Sequence, residues 1–145
     1  MLVEVICLVL MVVLVGDVFL GVFSRYVMQA TFKWYDEVAR LCFVWMVFLG
    51  AATAVRRGAH FRLHLLIDRF GPGLRRATEL LVGLLVIGFG AVLVAGGVAM
   101  YPVARRQVTD SLELSMLWFY GALPIGGALM ILFSLPQLWR LVRAR

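Results

Sequence analysis

Apolar positions dominate this chain in four long runs, over 5–23, 37–55, 80–104 and 114–139. Crossing a bilayer takes about 20 mostly apolar residues, so each run predicts a transmembrane helix. The third and fourth runs hold no Asp, Glu, Lys or Arg. The first is interrupted only by Asp17 and the second, inside its edge at Glu37, only by Arg40. The pattern predicts an all-α membrane protein, a single four-helix domain over 1–145 with helices near 3–23, 36–56, 77–102 and 114–139.

The connections carry the polar chemistry. Between the first two spans, residues 24–35 include Arg25, Tyr26, Lys33, Trp34 and Tyr35. Tyr and Trp favour the headgroup region, so this loop is expected to lie along a membrane interface. The second span leaves through Arg56, Arg57 and Gly58 into 59–76, where Phe61, Leu63 and Leu65 alternate with His60, Arg62 and His64. A short amphipathic segment lying in the headgroup layer fits that composition, although the alternation is closer to period 2 than to 3.6.

Composition removes the soluble alternatives. At 145 residues, 63% of them hydrophobic, the chain has no room for a soluble catalytic domain beside four spans. The 14 Lys and Arg are unevenly placed. Six lie between spans two and three and three more in the C-terminal tail, against four at the opposite end (Arg25, Lys33, Arg105 and Arg106). The positive-inside tendency then puts both termini in the cytoplasm. The net charge of +6 points to anionic lipid headgroups, since nucleic acid would need a soluble basic face. The first apolar run lacks a basic leader and is expected to be a retained helix. Cys7 and Cys42 sit near the starts of oppositely directed helices, so no disulfide is expected between them.

Three groups of residues invite a chemical reading. Asp17 lies roughly 12 Å along the helix from Arg25. A lone charge in a bilayer is costly and needs a partner or water. An Asp17–Arg40 pair locking the first two helices, with Glu37 one turn before Arg40 sharing in it, is the favoured reading; a proton- or cation-carrying Asp17 is the alternative. His60 and His64 are four apart but lie beyond the Arg56-Arg57 edge with no Cys or acidic cluster, so an interfacial structural role is expected, with no metal and no cofactor. Arg25 is either a snorkelling arginine or an anchor for an acidic residue of an external protein. Small residues four apart (Ala91, Ala95 and Ala99, with Gly88 and Gly96 nearby; Gly50 and Ala54; Ala122 and Gly126) suit close helix packing, and Pro124 is expected to kink the fourth span. No phosphate loop, nucleophile–base set or metal motif appears.

With these residues in place, the chain resembles the small, DctQ-like membrane subunits of TRAP (tripartite ATP-independent periplasmic) transporters. The resemblance rests on S-R-Y-V at 24–27, W-x-D-E-x-A-R at 34–40, F-L-G-A-A-x-A-V-R-R-G-x-H at 48–60 and A-L-P at 122–124. It covers essentially the whole chain and is strongest over 23–64. It implies a multi-pass protein of the bacterial or archaeal cytoplasmic membrane that scaffolds a large multi-helix permease subunit. It further implies that a periplasmic substrate-binding protein docks on the pair during sodium-coupled uptake of an organic acid. On this reading Arg25 belongs to the docking surface, and Trp34, Glu37 and Arg40 form a structural signature at the start of the second helix.

Rival readings make distinct demands. An autonomous, homodimeric proton-coupled transporter would need Asp17 for flux by the chain alone. A membrane anchor of a redox enzyme would bind haem through His60 or His64. The four-helix small subunit of another tripartite carboxylate transporter should lack the 34–40 and 48–60 patterns.

Overall fold

The computed structural model describes residues 2–30, 32–57 and 72–143. Within them the chain folds as α1 (Leu2–Tyr26), α2 (Trp34–Arg56), α3 (Pro72–Ala104), the single-turn α4 (Leu117–Tyr120) and α5 (Ala122–Arg143). α1, α2, the Ala77–Ala104 portion of α3 and the Leu117–Trp139 stretch are each long and apolar enough to cross a membrane. Residues 58–71, with His60, His64 and most of the expected amphipathic segment, lie outside the described residues.

The helices stand mainly in an open row: α1 packs on α2, α2 on α5, and α5 on α3. α1 meets α2 through a seam at Val3, Cys7, Leu10, Leu14, Asp17, Gly21 and Ser24, while the residues between them are largely exposed. That alternating three-and-four spacing keeps one narrow stripe of a helix against its neighbour. A small core of Ala52, Val55, Val86 and Met130 joins α2, α3 and α5.

Proline and glycine shape the remaining contacts. Pro124 has no N–H for the Tyr120 carbonyl, and its ring crowds that carbonyl. The fourth span accordingly breaks between α4 and α5, at Gly121, one turn before the proline. Residues 114–116, which hydropathy assigns to that span, instead belong to the loop before α4, where Val108 and Ser115 form an isolated antiparallel bridge. At the other end of α3, Pro72 falls in the first turn, where its missing N–H costs nothing. α3 and α5 approach so closely that a Cβ on Gly127 would lie 2.6 Å from the Gly90 carbonyl oxygen, and one on Gly97 would strike the Pro124 ring. Ala122 and Gly126 are buried as the spacing predicts, but Gly50, Gly88 and Gly96 face open space.

Three polar contacts link the helices. At the end bearing both described chain ends, the terminal end, Gln137 Nε2 on α5 donates to the Val55 carbonyl at 2.7 Å and the Arg56 carbonyl at 3.2 Å. These carbonyls belong to the last turn of α2, where a helix leaves acceptors to be met from outside its own ladder. Beside them, Arg57 pairs with Glu4 at 3.0 Å, tying α2 to the start of α1. Trp45, midway along α2 from the opposite, loop end, donates its Nε1 hydrogen to the Trp118 carbonyl at 2.9 Å.

Candidate functional site

The loop end is built from two short connections. In the first, Ser24 is buried, its hydroxyl donates to the Ala30 carbonyl at 2.8 Å, and the Ala30 N–H returns to the Ser24 carbonyl at 3.2 Å. The S-R-Y-V motif thus closes the α1–α2 loop through its serine. Gln29 takes a positive φ of 53° in this turn. Phe32, Trp34 and Tyr35 cluster at the start of α2, with Trp34 and Tyr35 ring centroids 3.8 Å apart.

In the second connection, the Thr109 N–H bonds the Leu114 carbonyl at 2.8 Å and the Met116 N–H bonds the Gln107 carbonyl at 3.0 Å. Glu113 makes the reversal with a φ of 50°. Glu37 on α2 accepts the backbone N–H groups of Ser111 at 2.8 Å and Leu112 at 3.0 Å, with the Thr109 and Ser111 hydroxyls also turned to it. Bonds from N–H groups to a carboxylate are stronger than neutral ones, so this acid fastens the loop to α2.

Two cavities flank that arrangement. The first, about 270 Å³, lies between α1 and α2 and is walled by Asp17, Arg25 and Asp36 among apolar side chains including Val18, Val22 and Tyr35. The second, about 320 Å³, lies between α2 and the 108–111 loop and is walled by Lys33, Asp36, Glu37, Arg40 and Asp110.

The structure does not bring Asp17 and Arg40 together, which corrects the expected ion pair. Asp17 is only 7% exposed, and its Oδ2 has no hydrogen-bond partner. Arg40 is exposed in the second cavity. Sequence spacing gives the depth of a residue along a helix but not the side it faces, and Arg40 faces the loop while Asp17 faces the α1–α2 seam. Glu37 likewise serves the loop and takes no part with Asp17. The acid that shares a cavity with Asp17 is Asp36, which the sequence reading passed over although it stands beside Glu37 in the W-x-D-E-x-A-R motif.

The remaining candidates separate by end. Arg25 is exposed at the loop end and borders the first cavity. Arg56 and Arg57 belong to the terminal end: Arg56 lies 5.9 Å from the Phe133 ring centroid, and Arg57 holds Glu4. His60 and His64 fall outside the described residues. Both cysteines are free. Among the described residues, no group of three or more His, Cys, Asp or Glu is placed to hold a metal ion.

Comparison with known proteins identifies this arrangement. The family described as "Tripartite ATP-independent periplasmic transporters, DctQ component" matches residues 14–144. The sialic acid TRAP transporter small permease protein SiaQ of Vibrio cholerae is 27% identical over 144 residues, spanning 97% of this chain and 81% of SiaQ. The C4-dicarboxylate TRAP transporter small permease protein DctQ of Rhodobacter capsulatus is 39% identical over 100 residues, 67% of this chain and 44% of that protein. The sialic acid TRAP transporter permease protein SiaT of Haemophilus influenzae is 27% identical over 122 residues, 84% of this chain but 20% of SiaT. With its four apolar helices, the chain therefore belongs to the DctQ-component family of TRAP transporters, as a multi-pass inner-membrane permease subunit and not an enzyme.

Proposed function

We propose that this chain is the small, scaffolding subunit of a TRAP transporter, bracing a large permease subunit and helping a periplasmic binding protein to dock. The open row of helices carries the reading. On α3 a face of small residues, Gly88, Ala91, Ala95 and Ala99, is exposed and unused within the chain. Such faces favour close approach of another helix, because lipid tails gain nothing from them that they would not gain from leucine. Neither cavity continues through the row, and both lie at the loop end, which is poor architecture for a transport path of its own.

The orientation follows from charge. Arg56, Arg57 and Arg143 stand at the terminal end, Arg143 lying 4.8 Å from the Trp139 ring centroid. With the further arginines of 59–76, they favour a cytoplasmic terminal end and an amphipathic cytoplasmic segment between α2 and α3. The loop end then faces the periplasm and presents Arg25 to the binding protein. Because SiaQ and DctQ are named for sialic acid and C4-dicarboxylate transport, an organic acid is the substrate class, driven by an ion gradient, in this reading sodium.

Reconstitution tests this. Proteoliposomes holding this chain and its large partner should take up the acid only when the binding protein and an inward sodium gradient are supplied, and omitting this chain should abolish uptake. Full uptake without the chain would refute the reading.

A further inference from the structure

We infer that the cavity between α1 and α2 is a socket for a lysine or arginine side chain from a neighbouring transmembrane helix of the large subunit, which pairs there with Asp17. The inference rests on the scaffold reading above and adds a site to it.

Asp17 is more than nine-tenths buried, it forms part of the cavity wall, and its Oδ2 has no hydrogen-bond partner. An acid so deep in an apolar helix is normally paired. Nothing in this chain pairs it among the described residues, since Arg40 lies in the other cavity. The walls hold the carboxyl groups of Asp17 and Asp36 and the Arg25 guanidinium, and Asp36 also borders the second cavity beside Lys33 and Arg40, which leaves Asp17 as the acid with no basic partner.

The shape of the wall selects the occupant. It mixes apolar side chains such as Val18, Val22 and Phe32 with the polar groups of Arg25, Tyr26 and Tyr35 beside the two acids. A long side chain with a hydrocarbon stem and a charged head fits both parts. α1 is the edge helix of the row, held through one seam, so the cavity can be approached from the side that α2 does not cover. Val18 and Val22 are exposed on that side.

The test uses the complex co-expressed with its large subunit and purified in mild detergent through a tag on this chain. Wild type should retain the large subunit. Asp17→Asn should lower its recovery by about tenfold or more, because removing one partner of a buried pair strands the other charge. Asp17→Lys should abolish recovery. Separately, a benzophenone amino acid at position 18, in a chain that keeps Asp17, should cross-link to a large-subunit peptide containing a lysine or arginine. Changing that residue to Asp should restore the Asp17→Lys complex. Equal recovery with Asp17→Asn would overturn the socket, as would cross-links confined to lipid or to a second copy of this chain. So would intact assembly with uptake lost in Asp17→Asn, the outcome expected of an ion-carrying acid. A wild-type chain that recovers no large subunit would sink the scaffold reading itself, and the socket with it.

Discussion

The Glu37 carboxylate accepts the backbone N–H of Ser111 at 2.8 Å across 74 residues of sequence, so the start of α2 and the α3–α4 loop are one structural unit. Glu37→Ala would free two backbone donors, at Ser111 and Leu112. Hydrogen exchange at those two amides is expected to accelerate markedly, while Val55 and Arg56 at the far end stay unchanged. Glu37→Gln, which keeps one acceptor oxygen, should fall between. Unchanged exchange in Glu37→Ala would mean the loop holds its shape by its own turn.

Gln137 is expected to matter for stability out of proportion to its place on the last third of α5. Its replacement by Leu leaves the Val55 and Arg56 carbonyls without their donor. The bond to Val55 is part-buried and the one to Arg56 exposed, so their loss should cost about 1 kcal/mol, read as a lower thermal transition in detergent. Breaking the exposed Glu4–Arg57 pair by Arg57→Gln should barely move the same transition, since an exposed pair contributes little.

The glycines of α3 should divide into two classes. Gly90→Val forces α3 and α5 apart against Gly127 and Ile131, and overpacking of this kind costs about 1–3 kcal/mol. A Cβ added at Gly88 meets nothing within 4 Å in this chain, so Gly88→Val should leave the isolated subunit little affected. If the exposed α3 face packs on a partner, Gly88→Val should nevertheless weaken the complex. Equal tolerance of both changes in the isolated subunit would contradict the α3–α5 packing described above.

Arg25→Glu should reduce uptake that depends on the binding protein while leaving the membrane complex assembled. Loss of assembly would instead make Arg25 structural. The orientation is checked beside it: with Cys7 and Cys42 replaced by Ser, a single cysteine at position 111 should react with a membrane-impermeant maleimide from the periplasmic side. One at position 57 should not. The reverse pattern would invert the topology.

Much of this architecture is legible in the sequence, for physical reasons that also explain the gaps. A bilayer enforces span length, so hydropathy marks the apolar stretches of α1, α2 and α3, but it does not foresee that α3 starts at Pro72, ahead of its apolar stretch. Pro124 announces a break, because its ring takes the place of the N–H that the Tyr120 carbonyl would need. Facing is harder to read. The four-residue spacing of Ala91, Ala95 and Ala99 draws attention to a face that this chain leaves open, while α3 meets α5 through Gly83, Gly90 and Gly97, seven apart. Asp17 and Arg40 fail as a pair for the same reason, since depth is set by residue count and direction by packing. Glu37 needs a loop 74 residues away to have a role, and no local pattern encodes that.

The most direct test of the central claim is recovery of the tagged chain from native membranes in a mild detergent, with every co-purifying protein identified and its stoichiometry measured. The account predicts a large polytopic permease in fixed proportion to this chain. A well-expressed chain that emerges alone or only with copies of itself, and that moves protons or substrate unaided in proteoliposomes, would contradict it.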